Sequence, residues 1–300
     1  MTTNATSFPR SAVLHIGAHK TATTHLQRSL LSQQQALIDA GIRYYGPANL
    51  RRTGKVLGDI FGLNVYTKPP EPTRNRADQA DFMFKDGHRL ILSDENFIGA
   101  LHDKQGNIIA PLYPNTAERI AALASAVGAG PMDVCIGLRN PASFLKSAYS
   151  QALMGGLPIT FSDYLSKNPL DQIYWPGLAA RVRSAAGVGR VTVWAFEDYK
   201  WRFHDICSAL MGDLVNMRIV PIPDHVHRGL SEAAVARVLS RSGADDPRDV
   251  AAKARDTYPV SDEYPAFDPF ASSDKAASEA EYAAQLAAID QIDGVTILRS

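Results

Sequence analysis

The residues best suited to chemistry lie near the amino terminus, in the segment Gly17-Ala18-His19-Lys20-Thr21-Ala22-Thr23-Thr24. It joins a short apolar run, 12–17, to a helical pattern that contains Leu26, Leu30, Leu37 and Ile38. A strand that turns into a helix leaves backbone N–H groups unpaired, and the helix dipole adds positive potential at the same point. Lys20 adds a full charge and the threonines add hydroxyl donors. The segment therefore predicts a binding site for a phosphate or a similar oxyanion.

The position of the lysine argues against an ATP- or GTP-hydrolysing P-loop. That motif is Gly-x-x-x-x-Gly-Lys-[Ser/Thr], with the lysine directly before the helix. Here Lys20 comes three residues after Gly17 and four before Thr24, and no second glycine precedes it. A helix capped by threonines, with a solvated lysine beside it, is the structural alternative.

A second candidate anion site follows the apolar run 132–138. Arg139-Asn140-Pro141 stands there, and Ser147 lies eight residues after the arginine. Proline suits the first turn of a helix, which would place Ser147 two turns into that helix. Arg139 can donate two N–H bonds to a phosphate and Ser147 can donate a hydroxyl. Alternatively, Arg139 makes an internal ion pair and Ser147 is an ordinary helix residue.

Three segments together resemble sulfotransferases that use 3'-phosphoadenosine 5'-phosphosulfate (PAPS), over residues 12–211. Residues 17–27 resemble the family's 5'-phosphosulfate loop, Lys-[Ser/Thr]-Gly-Thr-Thr, with Ala22 in place of its glycine and His25 where cytosolic members often have tryptophan. The segment from Arg139 to Ser147 resembles its 3'-phosphate site. Ser93-Asp94-Glu95 is similar to the Ser-x-Glu of bacterial and carbohydrate-directed members. The resemblance implies that the nucleotide is bound by Gly17, Lys20, Thr21, Thr23, Thr24, Arg139 and Ser147.

The same resemblance implies a reaction, the transfer of a sulfuryl group from PAPS to a hydroxyl or amine, with adenosine 3',5'-bisphosphate (PAP) as product and no metal. Lys20 would stabilise charge on the leaving 5'-phosphate, and Glu95 would take the proton of the acceptor. His102 is the alternative base, and Glu95 could instead cap the helix that follows it. A P-loop nucleotide kinase-like phosphotransferase and a non-catalytic PAP-binding protein are the other functions considered.

No motif in the sequence identifies the acceptor. A glycan or a small metabolite is expected from the Ser-x-Glu resemblance, while a lipid or a peptide tyrosine stays open. The pattern of strands and helices predicts an α/β fold, a P-loop-type parallel β-sheet flanked by helices on both faces in a three-layer sandwich. We expect a single domain over 1–300, with disorder at 1–11, a surface excursion at 46–88 and a helical C-terminal tail at 221–300.

Composition excludes some partners. Lysine plus arginine equal aspartate plus glutamate at 31 each, so no overall field favours nucleic acid. The apolar runs are too short for an integral membrane segment, and the start of the chain has no signal-peptide pattern, which predicts a cytoplasmic protein. His15, His19 and His25 do not have the spacing of metal ligands. The oligomeric state is not indicated.

Overall fold

The computed structural model describes residues 9–51, 76–103, 105–212, 217–223, 229–241, 243 and 245–299. Residues 1–8 of the predicted disordered start and residues 52–75 of the predicted excursion lie outside these ranges. The described part contains a parallel sheet of six strands in the order β2-β3-β1-β4-β5-β6. The strands are β1 (Ser11–His15), β2 (Ile42–Tyr45), β3 (Arg89–Ser93), β4 (Met132–Leu138), β5 (Val188–Ala195) and β6 (Val295–Leu298).

Helices cover both faces of the sheet. In the described ranges they are α1 (Thr23–Ser32), α2 (Gln34–Asp39), α3 (Pro47–Leu50), α4 (Arg76–Phe84), α5 (Thr116–Val127), α6 (Pro141–Met154), α7 (Phe161–Lys167), α8 (Trp175–Ser184), α9 (Tyr199–Met211), α10 (Glu232–Leu239), α11 (Pro247–Thr257) and α12 (Ser272–Asp290). Successive residues of β1 belong to two different apolar clusters. Val13 packs with α1 and α9, whereas Leu14 packs with α5, α6, α8 and α12. The α/β fold with helices on both faces, predicted from the sequence, is confirmed.

The strand order reverses at β1. The chain passes from β1 through β2 to β3 on one side, and then places β4 on the other side of β1. Parallel sheets bind ligands beyond the carboxyl ends of the strands at such a point. His15, which ends β1, is level with Ser93, which ends β3. The segments after β1, β3 and β4 therefore meet at one edge of the sheet.

Two edge strands were not predicted from the sequence. β2 pairs with β3, and β6 pairs with β5, so the predicted helical tail also completes the sheet. Its helix α12 is held to the body by Gln285, whose side chain accepts from the backbone N–H of Trp175 (3.0 Å) and donates to the carbonyl of Ile173 (3.0 Å). At the end of the predicted excursion, α4 buries Met83 and Phe84 in the core. The assignment of 1–300 to one domain stays a prediction.

Candidate active site

The turn after β1 has an unusual backbone. Hydrogen bonds from Ile16 N to Cys135 O (3.0 Å) and from Ala18 N to Gly137 O (2.9 Å) continue the pairing with β4 to the start of the turn. Lys20 (φ 69°) and Ala22 (φ 61°) then adopt the left-handed conformation. Ala22 is the N-cap of α1 and makes no side-chain cap bond. The left-handed region favours glycine, so Ala22 holds a strained position at the start of this helix.

Two residues predicted to contact the nucleotide lie beneath the turn. A Cβ atom on Gly17 would approach Thr23 Cγ2 to 2.4 Å and Thr21 Oγ1 to 2.9 Å. Thr21 is buried, and its hydroxyl donates to the carbonyl of Ala18 (2.6 Å). Neither residue lines the cavity that opens beside the turn at this edge of the sheet. Gly17 therefore provides space for close packing and the Thr21 hydroxyl stabilises the turn, while contact of either residue with a nucleotide stays a prediction.

A cavity of about 440 Å³ opens at this edge of the sheet, within the roughly 300–1,000 Å³ of small-molecule sites. We refer to it as the first cavity. It brings together six of the predicted site residues, Lys20, Thr23, Thr24, Glu95, Arg139 and Ser147. The sequence had not indicated several other residues of its wall, among them Arg28, Lys146, Ser150, Gln151, Phe196 and Phe267.

The Lys20 ammonium faces the first cavity and makes no hydrogen bond or ion pair with any residue in the described ranges. Burial lowers the pKa of Lys20, the positive charge of Arg139 lowers it further, and Glu95 opposes this shift. The site therefore disfavours the charged ammonium in the absence of a partner. An anion in the cavity would remove that penalty and fix the side chain.

Arg139 connects the two predicted anion sites. Its Nε donates to Ser143 Oγ (2.7 Å) and its Nη1 donates to the carbonyl of Lys20 (2.9 Å). The guanidinium lies 4.2 Å from the ring centroid of Phe196, and the indole N–H of Trp175 donates to the Arg139 carbonyl (2.8 Å). Both N–H groups of Nη2 are without a partner among the described residues. Arg139 is therefore held rigidly while keeping donors for a ligand.

The start of α6 is fixed by hydrogen bonds from the C-terminal helix. Asn140 is the N-cap and accepts from Ser143 N (3.2 Å). Ser278 of α12 donates to Asn140 Oδ1 (3.0 Å) and accepts from Ala142 N (3.1 Å). Ser147 lies one helical turn beyond Ser143 and lines the first cavity. Ser143 could have been found from its position four residues after Arg139 and four before Ser147.

Glu95 lies at the wall of the first cavity, where it is bound by Arg51. Arg51 Nη2 is 2.7 Å from Glu95 Oε1, and Arg51 also makes two bonds of 2.8 Å to the carboxylate of Asp94. Gln27 Nε2 is 3.5 Å from Glu95 Oε2. Burial raises the pKa of Glu95, but the charge and hydrogen bond of Arg51 outweigh it and leave the pKa below its usual value. The carboxyl group is therefore ionised at neutral pH.

The cap of the helical turn that follows β3 is Asp94, not Glu95. The side chain of Asp94 accepts from Asn96 N (2.9 Å) and caps the 3₁₀ turn Glu95–Ile98. The alternative base, His102, does not line the first cavity. Its Nε2 is 2.8 Å from the hydroxyl of Tyr164, and burial, with a further effect of His19, lowers its pKa to about 4. Of the two candidate bases, the structure brings only Glu95 to the cavity.

His25 stabilises the wall of the first cavity. Its Nδ1 is 2.7 Å from the hydroxyl of Tyr199, and its Nε2 is 3.0 Å from the carbonyl of Ile222. A carbonyl can only accept, so Nε2 donates this hydrogen bond. The ring packs edge-on against Tyr199 and Phe203. His25 thus connects segment 217–223 to α1.

No protein-family model matches the chain, and no curated protein matches it in sequence. The chain is similar to a sulfotransferase from Alicyclobacillus acidocaldarius of known structure, with 18% identity, 72% of this chain and 86% of that chain covered, and a TM-score of 0.45. A similarity this low carries no argument about function.

The described residues contain neither a candidate metal site nor a candidate membrane-spanning helix. No group of three or more histidine, cysteine, aspartate or glutamate side chains there could hold a metal ion. No helix in the same ranges combines the length and apolar character needed to cross a membrane.

Proposed function

We propose that the protein is a sulfotransferase that moves the sulfuryl group of PAPS to a hydroxyl or amine acceptor. The observation that carries this proposal is that Lys20, Thr23 and Thr24, after β1, share the first cavity with Arg139 and Ser147, after β4. Each of these two clusters combines a cationic side chain with hydroxyl groups, and the clusters lie on separate elements. They therefore favour a ligand with two separate anionic groups. A nucleotide with a 5'-phosphosulfate and a 3'-phosphate has that form.

The residues of the first cavity fit such a ligand. Among the described residues, Lys20 Nζ and Arg139 Nη2 are cationic donors without a protein partner. Apolar surface for a nucleoside comes from Phe196, Ile222, Leu230 and Phe267. The arrangement combines apolar walls with a few placed polar groups, as small-molecule sites do.

PAPS supplies a sulfuryl group bonded to its 5'-phosphate through a bridging oxygen. Lys20 stabilises the negative charge that grows on this oxygen as the bond to sulfur breaks, and Thr23 and Thr24 at the start of α1 help to hold the group. Arg139 and Ser147 hold the 3'-phosphate and thereby orient the nucleotide. These interactions distinguish PAPS from a nucleotide that lacks a 3'-phosphate.

Glu95 takes the proton of the acceptor as its oxygen or nitrogen attacks sulfur. Arg51 orients the carboxylate by binding Oε1, while the hydrogen bond of Oε2 within the described residues is the long contact to Gln27. Oε2 is therefore the atom that receives the proton. Because the carboxyl group is already ionised at neutral pH, it needs no prior loss of a proton.

Calorimetry and a transfer assay test the proposal. PAP should bind, and ATP with Mg²⁺ should bind far more weakly, because Arg139 and Ser147 recognise a 3'-phosphate. Tighter binding of ATP with Mg²⁺ would favour a phosphotransferase and overturn the proposal. Binding of PAP without any transfer from radiolabelled PAPS to hydroxyl and amine acceptors would indicate a PAP-binding protein instead.

The role of Lys20 is tested separately. Lys20→Ala should lower turnover by about a hundredfold to a thousandfold, the usual effect of removing one transition-state donor. Affinity for PAPS itself should fall much less, because its bridging oxygen gains negative charge only during transfer. Lys253→Ala, at an exposed lysine of α11 outside the first cavity, is the matched control. Unchanged turnover in Lys20→Ala would refute the assignment.

A further inference from the structure

A second cavity, of about 310 Å³, adjoins the first. It lies between α1 and the segment from β2 to α3, where Gln27 and Leu31 face Tyr44 and residues 46–49. Thr24, Arg28 and Glu95 line both cavities. A molecule in the second cavity would therefore reach the proposed base from a cavity other than the one proposed for the nucleotide.

One guanidinium in the wall of the second cavity has no direct partner among the described residues. Arg51 is paired with Asp94 and Glu95, two carboxylates. Arg28 is exposed, and it makes no hydrogen bond or ion pair to any residue that the structure describes. Tyr44 already uses its hydroxyl proton on the carbonyl of Gln27 (3.1 Å). The free guanidinium of Arg28 is thus the strongest recognition group available to a molecule in this cavity.

The helix sets the distance between this group and the transfer point. Arg28 follows Thr24 by four residues in α1, so the two side chains lie on one helix face, one turn apart. Four residues correspond to a rise of about 6 Å. If the reactive group of an acceptor lies between Thr24 and Glu95, Arg28 lies about 6 Å from that group along the helix axis.

We propose that the second cavity binds the acceptor, an inference that rests on the proposed function. Arg28 then selects acceptors whose anionic group lies about one helical turn from the group that is sulfated. The chemistry that Arg28 recognises is a carboxylate or a phosphate monoester, which a planar guanidinium binds through paired N–H donors. The expected substrates are anionic hydroxyl compounds, such as acidic or phosphorylated sugars.

Calorimetry on the PAP-loaded protein tests this selectivity with matched pairs. The carboxylate pair is p-nitrophenyl β-D-glucuronide against the glucoside, and the phosphate pair is glucose 6-phosphate against glucose. In at least one pair, the anionic member should bind roughly tenfold tighter or more, as expected for a hydrogen-bonded charge. Which pair shows the preference distinguishes the carboxylate from the phosphate.

Variants assign the preference to Arg28. Arg28→Gln should bring the affinity ratio within the responding pair close to one, and Arg28→Lys should retain part of it. Arg237→Gln, at an exposed arginine of α10 that lines neither cavity, should keep the full ratio. The same ratios measured as kcat/KM with radiolabelled PAPS should follow the binding data.

Several results would overturn this inference while the proposed function stands. They are binding of neither member of either pair, equal affinity within both pairs, and an Arg28→Gln variant that loses neutral and anionic ligands alike. An Arg28→Gln variant that loses PAP more than acceptor would also overturn it, since Arg28 would then serve the nucleotide. Failure of PAP itself to bind the parent protein would instead refute the proposed function.

Discussion

Replacement of Gly17 by alanine should destabilise the protein through steric overlap beneath the turn. The added methyl group would lie 2.4 Å from Thr23 Cγ2 and 2.9 Å from Thr21 Oγ1. Neither neighbour can move freely, because Thr23 is buried and β-branched, and the Thr21 hydroxyl donates to the carbonyl of Ala18. Over-packing of this kind lowers the free energy of unfolding by about 1–3 kcal/mol.

Thr23→Ser provides a specific rescue, since it removes Cγ2 and keeps the hydroxyl group. Alone it should cost about 0.8 kcal/mol, the value of one buried methyl group. In the Gly17→Ala background it removes the shorter of the two overlaps, so the double variant should recover about 1 kcal/mol relative to additivity. Thr24→Ser removes a methyl group from the exposed neighbouring threonine and should give no recovery.

Urea unfolding followed by circular dichroism measures the free energies, and calorimetry with PAP reports on the turn itself. Gly17→Ala should unfold at lower urea and bind PAP more weakly, and Thr23→Ser should restore part of both. The reasoning is refuted if Gly17→Ala unfolds at the same urea concentration as the parent. Recovery by Thr24→Ser equal to that by Thr23→Ser would refute it as well.

Three other predictions concern single residues. Ala22→Gly relieves the left-handed strain and should raise the free energy of unfolding by up to about 1 kcal/mol; a lower urea midpoint would contradict this. Arg51→Gln removes the charge that lowers the pKa of Glu95, so the acid limb of the kcat/KM profile should move to higher pH; an unmoved limb would exclude Glu95 as the base. Thr160→Ala removes the N-cap bond to Asp163 N (3.1 Å) of α7 and should cost about 1 kcal/mol in urea unfolding, whereas no loss would show that the cap is dispensable.

Elements with clear start and stop signals could be predicted from the sequence. The apolar run 132–138 forms the strand β4, and Pro141, expected in the first turn of a helix, begins α6. The missed strands β2 and β6 have four residues each and form the two edges of the sheet. In β2 the pattern is also interrupted by Arg43, which is buried and paired with Asp86.

Helix α11 lies within the predicted helical tail, but its own composition does not mark it as a helix. It lies in a stretch rich in proline and aspartate, which by composition indicates a loop. In the structure Asp246 caps the helix through Arg248 N (2.8 Å), and Pro247 occupies its first turn. The buried face consists of Val250, Ala251 and Ala254, and small side chains of this kind give only a weak apolar stripe.

Residues of the candidate site could be predicted only where they belong to a local sequence motif. Lys20 and Arg139 follow strand ends, and parallel strands bring such positions together. The direction of a side chain was not predictable, because Thr21 and Thr23 have the same type and lie two residues apart, yet only Thr23 lines the first cavity. Arg51 and Arg28 have no motif, and their roles depend on contacts that only the folded chain creates.

The hydrogen bond from Arg139 Nη1 to the carbonyl of Lys20 connects the two candidate anion sites. An anion that orders the Lys20 segment at one site would leave a smaller entropic cost for an anion at the other. In the proposed complex, the free energy of binding PAP therefore exceeds the sum expected from its two phosphates separately. A nucleotide with a phosphate at only one of the two positions would gain nothing from this coupling.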